Sequence, residues 1–339
     1  MVGKARSRTV AAAIFMLAAL ALGPAGFSSA GAATAPGEGI PRLGNVFVII
    51  GENTTYSHLK MTNAPYLLGT LKPQSAWLTQ YYGTTHWSQA NYVAMTSGQF
   101  TKCEQQDYGV VCHQNVENLF HQIDVAGLTW KTWLEGGTAR CDTGSGSTCE
   151  PQGPCPLTGF YTTGNPAILY DNIEGANGVW SATDKSQECL QNDIYAGRPM
   201  GIFNTALAEG TVPNFNYILP NGCDDGEANC KPVNNRYTQF DNFLKGEIPK
   251  IQSSPSYGPD SLIIVTYDED ERAGGLAKKY GYAMGGHVVC AFIGPQVAPG
   301  SYGGVFAHYS LLRTLEDGYR VSGYAGYAND VKPIDSIWG

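Results

Sequence analysis

The chain has 339 residues, with 21 Lys and Arg against 29 Asp and Glu and a formal net charge of −8. That acidity argues against nonspecific nucleic-acid binding, which draws on clustered basic side chains. The length leaves room for one large α/β domain or two smaller ones.

Lys4, Arg6 and Arg8 precede an uncharged apolar run from Thr9 to Leu22, and small residues follow from Ser28 to Ala33. This is the three-part layout of a secretory signal, so residues 1–33 are expected to be removed, with cleavage after Ala32 or Ala33. The apolar run is short for a membrane span and no later segment is longer, so stable membrane insertion is not expected. Cleavage would remove three basic and no acidic residues, leaving 18 − 29 = −11. The expected product is an exported, secreted protein.

Val46-Phe47-Val48-Ile49-Ile50 is a continuous apolar run bounded by turn formers, the pattern of a strand buried on both faces of a parallel sheet. It ends in Glu52-Asn53, where α/β sheets place ligands, at the carboxyl end of a strand. Asn53-Thr54-Thr55 is formally a glycosylation acceptor, but that position argues against a glycan. Ala64–Leu71 reads as a short helix and Ala76–Tyr82 as a second strand.

Residues 84–98 then carry a polar turn with His86 and Ser88 straight into an apolar-periodic segment that stops at Gly98, which predicts a helix beginning near Ser88. A hydroxyl at a helix N-terminus is either a cap or a group whose negative charge the helix favours. Val116–Ala126 has helical spacing and Leu128–Leu134 is strand-like, which supports alternating α/β order.

From Gly136 to about Pro213 the chain turns rich in Gly, Ser, Thr, Pro and Cys. It reads as an excursion pinned by disulfides, within a loop-rich region that extends to residue 235. Eight of the nine cysteines lie between Cys103 and Cys230. Export permits up to four bridges among them, with Cys103–Cys112 and Cys223–Cys230 the simplest local pairs, though spacing does not fix the connectivity. No CxxC pair occurs, which weakens a zinc reading. Cys290 lies in the apolar run 287–293 and is expected as a buried free thiol.

Asn214–Leu219 is a further strand, and a helix is expected from Tyr237 onward. Ser261–Tyr267 is the clearest strand and ends in Asp268-Glu269-Asp270-Glu271. Such a run is either a solvated loop or a set of carboxylates held by a cation or several donors. Another strand follows at 287–294, and His308-Tyr309-Ser310 opens an amphipathic helix with Leu311, Leu312 and Leu315. Polar residues thus fall at strand ends in several places: Glu52 and Asn53, Asp268 and Glu269, and the turn with His86 and Ser88. Together they offer hard oxygen ligands and a hydroxyl that a divalent cation would make easier to deprotonate.

Four ordered motifs, Val48–Asn53, Thr85–Tyr92, Ile263–Asp270 and His308–Glu316, resemble the bacterial phosphoesterase family. That family comprises secreted acid phosphatases and phospholipases C within the alkaline-phosphatase-like superfamily, and the motifs also resemble its mycobacterial-type secreted acid phosphatases. The resemblance implies an α/β fold with a mixed, mostly parallel central sheet sandwiched by helices, over residues 34–339. It implies a phosphomonoesterase acting on a phosphate ester, a phospholipid headgroup among the candidates. Ser88 matches the nucleophile that forms a phosphoserine. Glu52, Asn53, Asp268 and Glu269, with Ser88, match metal positions for Ca²⁺, Mg²⁺ or Mn²⁺ rather than Zn²⁺. His86, His308 and His287 match catalytic histidines, and Asn91, Asp225 and Glu227 fall at substrate-binding positions.

Two departures stand out. Gly164-Asn165-Pro166 replaces a His-x-Pro motif, and Asp225-Gly226-Glu227 replaces Asp-x-His. Two other readings fit the same residues: a phospholipase C type phosphodiesterase, and a catalytically weakened relative that binds phosphate or carbohydrate.

Overall fold

The computed structural model describes Met1 and residues 37–100, 113–135, 141, 164–181, 183–197, 199–271 and 285–339. The expected signal segment, but for Met1, and the cysteine pair 103 and 112 lie outside these residues. Among those described, no helix is long and apolar enough to cross a membrane.

Eight strands build one sheet: β1 (Val46–Gly51), β2 (Ala76–Tyr82), β3 (Trp130–Glu135), β4 (Asp193–Gly197), β5 (Phe215–Leu219), β6 (Leu262–Tyr267), β7 (His287–Ile293) and β8 (Gly300–Ala307). Their order is β4-β3-β5-β1-β6-β7-β2-β8. All run parallel except β7, which pairs antiparallel with both β6 and β2. The expected mixed, mostly parallel sheet is therefore present. The apolar runs of β1, β5 and β6 are buried at every position, as strands covered on both faces must be.

The helices α1 (Ser88–Ser97), α2 (Leu119–Val125), α3 (Asp171–Glu174), α4 (Gln187–Asn192), α5 (Gly201–Glu209), α6 (Arg236–Ser253) and α7 (His308–Tyr319) cover the sheet. Register assigns two of the groups to opposite faces. Val46 pairs with Phe215, so Phe47 points the other way from Phe215. Phe215 and Tyr217 meet Phe120 of α2, Tyr92 of α1 and Tyr319 of α7. On the opposite face Phe47 meets Tyr257 beyond α6, and Tyr267 meets Phe240 of α6.

The excursion after residue 136 is less irregular than its composition implies. Its described part holds α3, α4 and α5, and β4 adds an edge to the sheet beside β3. Only Ile194 and Ala196 of β4 carry apolar side chains into the core, too short a signal to read from sequence. The opposite edge strand, β8, was equally silent, because Gly300, Gly303 and Gly304 interrupt it and most of it is exposed. Cys223–Cys230 is bridged as the local spacing predicts, and a second bridge joins Cys141 to Cys189. Cys290 is free and buried on β7.

Because β2 runs parallel to β1, β5 and β6, the segments that follow these four strands emerge at one end of the sheet. Gly51, the last residue of β1, is packed there without room for a side chain. A Cβ would lie 2.6 Å from the Tyr267 ring and 2.9 Å from the Asp225 carbonyl oxygen. Gly51→Ala should therefore cost roughly 1–3 kcal/mol, the usual penalty of overpacking, and lower the thermal unfolding midpoint. An unchanged midpoint would show that this junction yields freely.

Candidate active site

Glu52 continues β1, and Ser88 opens α1. Their contact is direct: Ser88 Oγ donates to Glu52 Oε2 at 2.9 Å. Four residues along the same helix face, the Tyr92 hydroxyl donates to the other oxygen, Glu52 Oε1. Asn53 reaches three acceptors with one amide nitrogen: Glu227 Oε2 at 3.0 Å, Glu52 Oε2 at 3.1 Å and Ser88 Oγ at 3.5 Å. Its backbone N–H donates to Asp268 Oδ1 at 2.9 Å. With these donations, and with Thr54 fully buried, no glycan fits on the sequon.

Asp225 completes the group. Its backbone oxygen accepts the Glu52 N–H at 2.8 Å, and its Oδ1 accepts the Glu227 N–H at 2.8 Å. The Cys223–Cys230 bridge closes the loop that carries both acids. Glu52, Asp225 and Asp268 are buried, and each carboxyl is raised above its usual range. Desolvation is the main cause in all three, and neighbouring carboxylates add to it for Glu52 and Asp225. Asp268 is pushed up to about 7 even though Ser88 and the Asn53 N–H favour its charged form.

The four acids that follow β6 divide among different partners as the chain bends away from the strand. Asp268 faces Ser88 and Asn53. Glu269 turns to the neighbouring loop, where its Oε2 accepts from His86 Nδ1 at 2.7 Å. The Trp87 N–H donates to both Glu269 oxygens, at 3.1 and 3.0 Å. The Glu269 carboxylate, expected as a metal ligand, holds the His86–Trp87 turn. Glu271 lies further out and binds Arg236, His58 and the Tyr237 hydroxyl.

The expected histidines part company as well. His86 Nε2 is buried without a hydrogen-bond partner, 3.9 Å from Asp270 Oδ1, and burial lowers its pKa. His308 is wholly buried, with Nε2 2.5 Å from the Asp268 carbonyl oxygen and Nδ1 2.9 Å from the Tyr81 hydroxyl. A carbonyl only accepts, so Nε2 carries the hydrogen and Nδ1 takes the tyrosine's. Burial lowers the His308 pKa to about 4, so it is a neutral brace for Asp268 rather than a group that meets substrate. His287 is stacked between Tyr56 and Tyr82, with centroids at 4.1 and 5.1 Å.

Asn91, at a motif position where a structural or phosphate-orienting role is expected, braces the turn. Its Oδ1 accepts the Thr84 and Thr85 N–H groups at 2.9 and 3.0 Å, and its Nδ2 donates to the Thr85 oxygen at 2.8 Å. Asp225 joins the buried acids, while Glu227 is the most open of them, with a side chain 36% exposed.

Two participants were missed. Tyr92 was read only as an apolar helix position, although its i+4 spacing from Ser88 was the available signal. Arg236, at the start of α6, donates to the Asn53 oxygen at 3.0 Å and the Glu227 oxygen at 3.2 Å. Nothing local in the sequence announces that contact. Gly164, where the resemblance expects a histidine, has no room for one: a Cβ would lie 2.8 Å from Leu219 and 3.3 Å from Tyr92.

A hard divalent cation fits the donor set of Glu52, Asn53, Ser88 and Asp268, with Asp225 beside it. The fit rests on Asp225 Oδ2 and Asp268 Oδ2, two buried carboxylate oxygens with no hydrogen-bond partner. The acids stand wider than a closed ligand shell. Among the described residues, the one trio of His, Cys, Asp or Glu ligand atoms within 4.8 Å of one another is Cys141, Cys189 and Asp193, whose sulfurs are bonded to each other.

A family model described as the phosphoesterase family matches residues 44–322. The "Probable acid phosphatase" of Kluyveromyces lactis is 22% identical over 86% of this chain, which spans 62% of that relative's length. The phosphatidylinositol-3-phosphatase of Mycobacterium tuberculosis is 24% identical over 88% of this chain and 84% of its own length. A solved protein of the alkaline phosphatase superfamily from Vibrio parahaemolyticus superposes with a TM-score of 0.54 at 14% identity, over 83% of this chain and 67% of that one. At that identity the likeness concerns the fold alone.

With divalent ions chelated, the folded chain keeps protons on Glu52, Asp225 and Asp268 at pH values where the unfolded chain has released them. Stability should therefore fall as pH rises from about 4 toward 7. Added Ca²⁺, Mg²⁺ or Mn²⁺ should restore the thermal midpoint most strongly near pH 7. A chelated midpoint that rises over this window, or that no ion shifts, contradicts this account of the cluster.

Proposed function

The chain belongs to the phosphoesterase family, and from that premise we propose that it is an exported phosphate-ester hydrolase working through Ser88. The observation that carries the reading is the 2.9 Å hydrogen bond from Ser88 Oγ to Glu52, inside a buried acid cluster at the head of α1. A serine serving only as a helix cap would bond its own helix's N–H groups; this one bonds a carboxylate from another strand.

In the proposed reaction Ser88 Oγ attacks phosphorus and loses its proton, the ester oxygen leaves as an alcohol, and the phosphoserine is cleaved by water. A divalent cation held by Glu52, Asn53 and Asp268 with Ser88 would supply a more acidic hydroxyl and offset charge on the phosphoryl oxygens. The N-terminus of α1 favours the same negative charge. Asn53 and Tyr92 fix Glu52, Asn91 fixes the turn ahead of Ser88, and His308 fixes the Asp268 main chain. His86 has Nδ1 anchored on Glu269 and Nε2 unspent, so it is the group we assign to protonating the leaving oxygen.

Monoesters are the preferred substrates on this reading, because the relatives that span most of the chain are named as phosphomonoesterases. A phosphoinositide headgroup is the specific candidate offered by the mycobacterial relative. Export is supported by the sequence of residues 1–33 and by disulfides that form readily outside the cytosol.

Ser88→Ala should abolish cation-dependent hydrolysis of p-nitrophenyl phosphate, by about 10³-fold or more. Acid quenching of the native enzyme during turnover should trap phosphate on Ser88, identifiable by peptide mass. Turnover that survives Ser88→Ala would remove the serine from the mechanism. Tyr92→Phe should lower kcat by roughly tenfold while keeping the fold, since it deletes one donor to a buried carboxylate. An unaltered kcat would make Tyr92 a packing residue only.

A further inference from the structure

Trp87 is the residue before Ser88, and its backbone is fixed from both sides. Its N–H donates to Glu269, and its carbonyl accepts from the Ala90 N–H at 3.2 Å and from Asn91 Nδ2 at 3.4 Å. The residue sits at φ 85°, ψ 113°, in a region that L-residues other than glycine adopt at a cost. Glycine would satisfy the turn without strain. The chain nevertheless places its largest side chain there.

That side chain gains little from the fold. Trp87 is 42% exposed, and among the described residues no hydrogen bond or ring contact engages its indole. Trp77 and Trp133 instead bond Tyr56 and Asn216 through their indole nitrogens, and Trp130 bonds Asp124. An open aromatic side chain is thus carried on a fixed and strained backbone, one residue before the reacting hydroxyl. Ser88 itself is 6% exposed, far less than the residue before it.

Resting on the phosphatase reading, we propose that Trp87 is a specificity-determining platform for the leaving group. Its indole face stacks on an alcohol that presents a flat or apolar surface, either an aryl ring or the C–H face of a cyclitol or sugar. The phosphoryl group goes to Ser88 while the alcohol lies on Trp87, so the ring discriminates between esters without touching phosphorus. A short acyclic alcohol gains nothing from the platform.

The test compares 1-naphthyl phosphate, myo-inositol 1-phosphate and glycerol 2-phosphate, using the full exported chain with a divalent cation. Trp87→Ala should lower the kcat/KM ratio of the first or second ester to glycerol 2-phosphate by about tenfold, mainly through KM. The ester affected tells an aryl from a cyclitol leaving group. Trp87→Gly accepts the positive φ freely and should show the same loss, whereas Trp87→Phe should keep most of the preference. Inhibition by inorganic phosphate, read in parallel, should not follow the ratio. An equal fall on all three esters would make Trp87 a backbone-positioning residue and overturn the platform. Ratios unchanged in Trp87→Ala would overturn it as well. A wild-type chain that turns over none of the three esters sinks the phosphatase reading itself, a failure distinct from either.

Discussion

Everything at this end of the sheet answers to one constraint: several carboxylates are packed, largely dry, around a single serine hydroxyl. The sheet order enforces it. The strands β5, β1 and β6 are neighbours, and adjacent strands lie about 4.8 Å apart, so the acids that follow them cannot separate. In water such groups would repel modestly. In a buried site the repulsion and the lost hydration both raise their proton affinity. The protein lessens the strain with donors from outside the acid set: the Asn53 amide, the Tyr92 hydroxyl and Ser88 itself. Two buried oxygens, Asp225 Oδ2 and Asp268 Oδ2, are left without a hydrogen-bond partner, and on the proposed reading they face the cation.

Around that group lies a second set of acids with a different task. Glu269 and Glu271 hold cationic and N–H partners rather than facing the serine. Glu269 secures the strained turn ahead of Ser88, and Glu271 gathers Arg236, His58 and Tyr237 at the periphery. Close backbone approach makes this division possible. A Cβ on Gly83 would fall 2.8 Å from the Asp268 oxygen, and one on Gly286, at φ 81°, would land 2.0 Å from the Asp270 carboxyl carbon. The glycines let the serine turn and the acid run press together without spacers.

Much of this was legible in the sequence wherever pattern and position coincide. Strands β1, β2, β3, β5, β6 and β7 announce themselves as apolar runs, and α1 as a polar turn stopped by Gly98. The two edge strands were not legible, because an edge carries few core side chains and tolerates glycine. Within the site, chain order revealed that Glu52, Ser88 and Asp268 end or begin elements, but not which way each side chain turns. Glu269 and His308 were grouped with the serine for that reason. Their actual directions follow from the bend after β6 and from the complete burial of His308, both products of the assembled fold. Arg236 was invisible because its links to the site, to the Asn53 and Glu227 main chain and to the Glu227 carboxylate, are made only by the fold.

The absence of a histidine at position 164 acquires a physical meaning in this setting. The space an imidazole would need is filled by Leu219 and by the Tyr92 ring, and the Tyr92 hydroxyl is spent on Glu52. The Tyr217 hydroxyl closes the same side by donating to the Gly164 oxygen at 3.0 Å. The donors proposed for the cation, Glu52, Asn53, Ser88 and Asp268, are all oxygens. Oxygen-only sets suit hard ions, and borderline ions that prefer nitrogen or sulfur lose their advantage there. The tyrosines fill this flank with packing and with hydrogen bonds, one of them to Glu52, which accepts the Ser88 hydroxyl. A histidine at Gly164 would crowd Leu219 and the Tyr92 ring, the side chain that holds the Glu52 carboxylate.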